Sequence, residues 1–155
     1  MVEKWLVVKN FWCMSLDYFE AETALPSKGE FGLVRYYLLC HSLELGFKAF
    51  LTDKGRTIKA LRQKEFGHNL EILLKECEAN GLAESFVDIT GLHQLVKMLN
   101  KYYAEKEFEY GEIPSYELPD LVHIRRSVKE LIAVTKNLWK EPEYAKNSSK
   151  SRTTA

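Results

Sequence analysis

Apolar side chains recur along most of this chain at intervals of three and four residues, which is the spacing of one face of an α-helix. Glycine and proline are scarce and fall mainly between these periodic segments, and the alternation typical of strands is rare. The pattern predicts long helices over residues 4–24, 30–54, 83–108 and 119–140, and a shorter one after Asn69. We therefore expect an all-α fold, an antiparallel up-and-down bundle of four long helices with one or two short ones.

The second predicted helix differs from the others because it is apolar on most sides, which is typical of a buried central helix or an oligomer contact. Its polar side chains Tyr37, His41, Glu44 and Lys48 follow one another in steps of four, three and four, so they share one stripe. This stripe is either the solvated edge of the helix or the lining of a groove against a neighbouring helix. In the second case His41 contributes a group that titrates near neutral pH.

Length and charge bound the organisation of the chain. The 155 residues suit one domain, which we place at residues 1–144, and the polar stretch from 145 to 155 is predicted to be a disordered tail. The 22 basic residues are balanced by 22 acidic ones, so no bulk positive field attracts nucleic acid or an anionic membrane. A local basic patch stays compatible with this balance.

Cysteine usage and the N-terminus indicate a cytoplasmic protein. Cys13, Cys40 and Cys77 are odd in number and lack any CxxC pairing, so we expect buried free thiols and not disulfides. Charged residues flank the short apolar run near the N-terminus, and no small-residue cleavage site follows it. No apolar stretch approaches the ~20 residues of a membrane span, so no membrane association is expected.

The chain carries none of the common catalytic or phosphate-binding motifs, and its four histidines lack zinc-ligand spacing. We therefore expect neither a metal site nor a cofactor. The weak catalytic candidates are His41 or His68 as a general base, with Arg125 or Arg126 as a phosphate clamp. A second ligand-binding candidate is the adjacent pair Tyr102 and Tyr103, because aromatic rings beside lysines stack on nucleotides, although glutamates are interleaved there.

Two motifs in order point to a known family. Residues 37–51 read YLLCHSLELGFKAFL, and residues 67–74 read GHNLEILL. This pair resembles the HEPN family (higher eukaryotes and prokaryotes nucleotide-binding), and the aromatic residues around 102–111 are similar to a stretch that follows in many members. The similarity covers about residues 30–111.

The resemblance implies a helical bundle, usually a homodimer and often encoded beside a nucleotidyltransferase. Such a neighbour would be a candidate partner protein in a toxin–antitoxin pair or in a nucleotide-transfer role. Ribonuclease members of the family carry an Arg, four to six residues and a His at the start of a late helix. Here the last helix has His123 before Arg125, and the formal match of Arg35 with His41 lies on the second helix, about 240° apart around it. The chain is thus similar to a variant without a well-placed nuclease motif.

Three hypotheses follow. The first is a non-catalytic HEPN-like module that binds a nucleotide, RNA or a partner protein as a homodimer. The second is a metal-independent, toxin-like endoribonuclease with a degenerate active site, and the third is a pure dimerisation or assembly module. For the first, the predicted ligand-binding residues are Tyr37, His41, Glu44, Lys48, Tyr102 and Tyr103.

Overall fold

The protein is built from helices. The computed structural model describes residues 2–27, 32–111 and 113–150, and within these ranges it contains eight α-helices and no β-strand. The predicted all-α fold is confirmed. The helices are α1 (Lys4–Ala24), α2 (Gly32–Asp53), α3 (Ile58–Leu61), α4 (Leu70–Ala79), α5 (Ile89–Tyr103), α6 (Glu107–Tyr110), α7 (Leu121–Lys136) and α8 (Glu143–Lys150). None of the helices in the described ranges has the length and apolar character that crossing a membrane requires.

Helix α2 lies at the centre of the fold and packs against α1, α4, α5, α6 and α7. Leu39, Leu43 and Phe47 are completely buried in it, as expected of a helix that is apolar on most sides. Gly46 marks a close approach of α2 to α7, because a Cβ there would lie 2.6 Å from Leu131 Cδ2. The prediction of a buried second helix is therefore confirmed, and its neighbours belong to the same chain.

Helices α1 and α2 run antiparallel along their whole length. Lys4 Nζ donates to the Asp53 carbonyl at one end, and the middle is joined by a reciprocal pair. Ser15 Oγ donates to the Ser42 carbonyl at 2.8 Å, and Ser42 Oγ donates to the Ser15 carbonyl at 2.6 Å. The small serines let the two backbones approach closely, and each hydroxyl finds a partner inside the core.

The buried face of α1 differs from the one that apolar spacing predicts. The fully buried positions are Val8, Ser15 and Glu22, each seven residues after the last, whereas Trp12 is only half-buried. Trp12 instead covers the edge of α7, where its Nε1 donates to the Ile132 carbonyl at 3.0 Å. Two polar side chains take core positions because each has hydrogen-bond partners there.

Local hydrogen bonds define several helix ends. After α2, Gly55 adopts a φ of +98°, and the Arg56 N–H donates to the Leu51 carbonyl at 2.9 Å, as in a Schellman motif. Asn69 Oδ1 accepts from the Ile72 N–H to cap α4, and Asp120 Oδ1 accepts from the Val122 N–H to cap α7. These caps fix where the loops before α4 and α7 leave the bundle.

Two stretches differ from their predicted form. The long helix expected over 83–108 is divided into a 3₁₀ turn at Leu82–Ser85, then α5, then α6. The division before α5 arises because Asp88 Oδ1 accepts from the Gly91 N–H and caps a new start. The stretch predicted as a disordered tail from 145 is helical as far as Lys150 in α8, and residues 151–155 lie outside the described part of the chain.

Candidate functional site around Glu44

The polar stripe of α2 converges on one buried carboxylate. Glu44 is 2% exposed, and Lys48 Nζ, one turn later, lies 2.5 Å from its Oε1. His68, from the loop before α4, places Nδ1 3.0 Å from Glu44 Oε2, and the Tyr103 hydroxyl at the end of α5 donates to the same oxygen. We call His41, Glu44, Lys48, His68 and Tyr103 the Glu44 cluster.

His41 joins the cluster through Tyr103. Its Nδ1 lies 2.7 Å from the Tyr103 hydroxyl. Because that hydroxyl has one proton and gives it to Glu44, Nδ1 of His41 is the donor in this bond. Tyr37 stacks on the His41 ring with the ring centroids 5.8 Å apart, and Tyr18 of α1 meets it edge-on at 4.4 Å. The imidazole is thus held between aromatic rings of α1 and α2.

The charges of the cluster are set by burial and by its hydrogen bonds. Burial alone raises the pKa of Glu44, but the Lys48 charge and the hydrogen bonds from Lys48, Tyr103 and His68 outweigh it and hold the pKa below its usual value. Burial lowers the pKa of His41, which the Glu44 charge only partly offsets. Burial and the neighbouring Glu44 charge raise the pKa of Tyr103 strongly. At neutral pH the cluster therefore holds one carboxylate, a neutral His41 and a protonated phenol.

A small cleft opens above the cluster. It has a volume of about 70 Å³, roughly that of two liquid waters. The cleft is open to solvent beside His68, since half of the His68 side chain is exposed. The cleft is lined by Tyr37, His68, Tyr103, Lys106, Phe108 and Glu109. This lining combines aromatic rings with polar and charged groups, so the cleft suits the edge of a planar ring that carries hydrogen-bonding groups.

Five of the six predicted ligand-binding residues meet here, and Tyr102 does not. Its ring packs against Phe108, with centroids 6.1 Å apart, and its hydroxyl is buried without a hydrogen-bond partner. Within the described ranges no hydrogen bond, ion pair or ring contact joins Tyr102 to the Glu44 cluster. The ring belongs to the core between α5 and α6.

The four weak catalytic candidates are divided between separate places. His41 and His68 belong to the Glu44 cluster, whereas Arg125 Nε lies 3.0 Å from Glu22 Oε2 and Arg126 Nη2 lies 2.8 Å from His123 Nδ1. No contact between described side chains joins either arginine to His41 or His68. A single chain does not assemble this base with this clamp.

Sequence reasoning missed a second buried carboxylate. Glu22 of α1 is completely buried and accepts from Arg35 Nη1 of α2 at 3.1 Å and from Arg125 of α7. Arg35 also donates to the Pro26 carbonyl. The guanidinium of the formal Arg35–His41 match is therefore bound to Glu22 and Pro26. The signal in the sequence is the position of Glu22, two heptads after Val8 on the same helix face.

Comparisons with known proteins do not assign the chain to a family. No family model, no curated protein sequence and no solved structure matches the chain. The resemblance carried by residues 37–51 and 67–74 remains a prediction from those two motifs. The geometry of the Glu44 cluster is therefore the basis on which a function can be inferred.

Proposed function

We propose that the protein is a non-catalytic, HEPN-like helical module that binds a nucleotide, or one unstacked base of RNA, in the cleft above the Glu44 cluster. In the same proposal it works as a homodimer. The observation that carries it is the convergence of Lys48, His68 and Tyr103 on a single buried carboxylate below an open aromatic cleft. Such a concave site with a few convergent polar groups is where small ligands bind.

The cleft offers the contacts that a nucleobase uses. Tyr37, His68 and Phe108 present rings at its wall, and stacking of a base on an aromatic ring contributes about 1–3 kcal/mol. An ionised carboxylate has about four acceptor positions, and Glu44 uses three of them for Lys48, His68 and Tyr103. The polar groups that line the cleft itself, and that an amino or hydroxyl group of the base would meet, belong to His68, Tyr103, Lys106 and Glu109. Because 70 Å³ is smaller than a whole base, the ligand enters by one edge.

A phosphate-binding cation stands at the rim. Lys106 lines the cleft, and within residues 32–111 and 113–150 it forms no ion pair. It follows α5 in a left-handed conformation with φ +58°, which places it at the turn into α6. A free ammonium beside aromatic rings is the usual combination for the phosphate and base of a nucleotide.

The charged groups that RNA cleavage would use are already bound to other side chains. Cleavage through the ribose 2′-hydroxyl needs a general base and a cation that stabilises the developing phosphate charge. Lys48 is bound to Glu44, and Arg125 is bound to the fully buried Glu22. Among the described side chains, no arginine is thus in contact with the imidazoles of the Glu44 cluster.

Titration with AMP, ATP and a short single-stranded RNA tests the binding proposal. It should be followed by NMR or fluorescence anisotropy with EDTA present. We expect saturable binding that Tyr37→Ala or His68→Ala weakens by about 5- to 150-fold, the equivalent of one lost stacking contact of 1–3 kcal/mol. The matched control is Tyr116→Ala, since that ring is 84% exposed. Equal affinities for all variants, or no binding at all, would contradict the proposal.

The same mixtures distinguish the alternatives. RNA that stays intact supports a non-catalytic module, whereas cleavage that His41→Ala abolishes without loss of helicity would establish an endoribonuclease instead. Analytical ultracentrifugation tests the homodimer, and a monomer at micromolar concentration would contradict that part. Dimerisation without any nucleotide or RNA binding would leave the assembly module as the function.

A further inference from the structure

We propose that His41, Glu44 and His68 form a binding site for one divalent transition-metal ion such as Zn²⁺. Two imidazoles and one carboxylate each offer a donor atom, and these three atoms lie within 4.8 Å of one another. Of the three residues, His68 lines the cleft. The metal proposal can fail or hold independently of the proposed function, because nucleotide binding is tested in EDTA and metal binding is tested without nucleotide.

The distances between the donor atoms suit a small ion. Glu44 Oε2 lies 3.0 Å from His68 Nδ1 and 3.7 Å from His41 Nδ1. Bonds of 2.0–2.1 Å in a tetrahedral zinc site separate neighbouring donors by about 3.3 Å. The two distances to Glu44 differ from this value by a few tenths of an ångström, and all three donors already lie within 4.8 Å of one another. In the metal-bound form the protons now on the Nδ1 atoms reside on Nε2, so that Nδ1 presents a lone pair.

Lys48 and Tyr103 arrange the carboxylate for this role. Lys48 binds Oε1, so Oε2 is the oxygen that faces both imidazoles. Metal ligands are commonly oriented in this way by hydrogen bonds from surrounding groups. The Lys48 ammonium also balances the charge of the buried Glu44 carboxylate when no metal ion is bound. The carboxylate therefore has a counter-charge in both the metal-free and the metal-bound protein. Since the same ammonium repels a cation, we expect micromolar and not picomolar affinity.

The kind of ion follows from the donors. Imidazole nitrogen suits Zn²⁺, Co²⁺, Ni²⁺ and Cu²⁺, whereas Mg²⁺ and Ca²⁺ prefer shells made of oxygen. An ion enters from the cleft, because half of the His68 side chain is exposed. Sequence spacing does not signal this group because His68 comes from another segment, 24 residues after Glu44.

The experiment uses the untagged, EDTA-stripped full chain. Co²⁺ is titrated while its visible absorption is recorded, and Zn²⁺ is titrated by calorimetry and by thermal melting, with Mg²⁺ as the ion that should not bind. We expect one Zn²⁺ per chain, displacement of bound Co²⁺ by Zn²⁺, and a higher melting temperature in Zn²⁺, since an ion that binds only the folded chain stabilises it.

The variants are His41→Ala and His68→Ala, and the matched control is His93→Ala. His93 also bonds a glutamate, with Nε2 2.5 Å from Glu78 Oε1, and its side chain is 50% exposed like that of His68. Removing His68 or His41 should weaken Zn²⁺ binding at least tenfold, while removing His93 should leave it unchanged. His68→Ala is decisive, because a half-exposed side chain can be removed without unfolding the core, which circular dichroism verifies.

Three results would overturn the proposal. The first is no Zn²⁺ or Co²⁺ binding at hundred-micromolar metal. The second is stoichiometric Zn²⁺ binding that persists in both His41→Ala and His68→Ala, which would place the ion elsewhere. The third is Mg²⁺ binding as tight as Zn²⁺ binding, which would contradict the nitrogen-donor site.

Discussion

Replacing Glu22 by glutamine should destabilise the fold more than any exposed charge substitution. Glu22 is completely buried and receives hydrogen bonds from Arg35 of α2 and Arg125 of α7. Glutamine keeps the shape but removes the negative charge, so the guanidinium of Arg35, whose side chain is 10% exposed, loses its counter-ion. Breaking a buried ion pair in this way costs about 3–5 kcal/mol.

That cost is large against the 5–15 kcal/mol that stabilise a typical domain. For a chain of this size each kcal/mol lowers the melting temperature by about 2–4 °C, so a decrease of roughly 6–20 °C is expected. Urea unfolding followed by circular dichroism measures the free energy of unfolding directly. The matched control is Glu117→Gln, because the Lys101–Glu117 pair is exposed, at 67% and 36% of the two side chains, and such pairs contribute about 0–1 kcal/mol.

A double-mutant cycle with Arg125→Met tests whether the partners are coupled. If Glu22 and Arg125 interact as the 3.0 Å contact indicates, the double variant should lose less stability than the sum of the single variants. Additive losses, or a loss below 1 kcal/mol for Glu22→Gln alone, would refute the reasoning. Either result would mean that the guanidinium groups are already solvated in the folded protein.

The same carboxylate gives a signed pH dependence. Burial raises the pKa of Glu22, but the hydrogen bonds and charges of Arg125 and Arg35 more than offset it, so the pKa lies below its usual value. As pH falls, the unfolded chain takes up the proton first, near pH ~4.3. The stabilisation by Glu22 is therefore complete above that pH and is lost as pH falls towards the folded-state pKa. Below about pH 4.3, the difference in unfolding free energy between wild type and Glu22→Gln should shrink, and a constant difference would contradict this.

Two further predictions concern packing. Gly46→Ala should cost about 1–3 kcal/mol by overpacking against Leu131, whereas Gly32→Ala, which meets nothing within 4 Å, should be neutral or slightly stabilising; equal urea midpoints would contradict the close approach of α2 and α7. Burial raises the pKa of the Cys40 and Cys77 thiols, so a thiol reagent should label only the half-buried Cys13 in the folded protein. Rapid labelling of three thiols without denaturant would show that the core opens.

The architecture could be predicted because it depends on local periodicity. Apolar spacing and scarce glycine were sufficient for an all-α fold with α2 at its centre, and Asn69 was recognisable near the cap of α4. Asp120 was expected inside a helix that begins at 119, whereas it caps α7 from outside. The position of the break before α5 was not predicted. A cap by Asp88 competes with continuation of the preceding helix, and apolar spacing alone does not show which of the two is more stable. The polar core positions of α1 were missed for a related reason, since hydropathy assigns Glu22 to the surface.

The site could be predicted only in part. Helical spacing put His41, Glu44 and Lys48 on one stripe, but it left open whether that stripe faces water or a neighbour. The answer depends on His68 and Tyr103, which lie in other segments and reach Glu44 only in the folded chain. Without their hydrogen bonds the carboxylate would be too costly to bury. A single sequence does not report such long-range compensation.

The convergence on Glu44 also sets an order of events during synthesis. Lys48 is present as soon as α2 forms, but His68 and Tyr103 follow Glu44 by 24 and 59 residues. A nascent chain that has not reached His68 lacks two of the three groups that donate to Glu44, so burying the carboxylate is unfavourable at that stage. The burial of Glu44 therefore depends on the second half of the chain, because Tyr103 is needed to complete its hydrogen bonds.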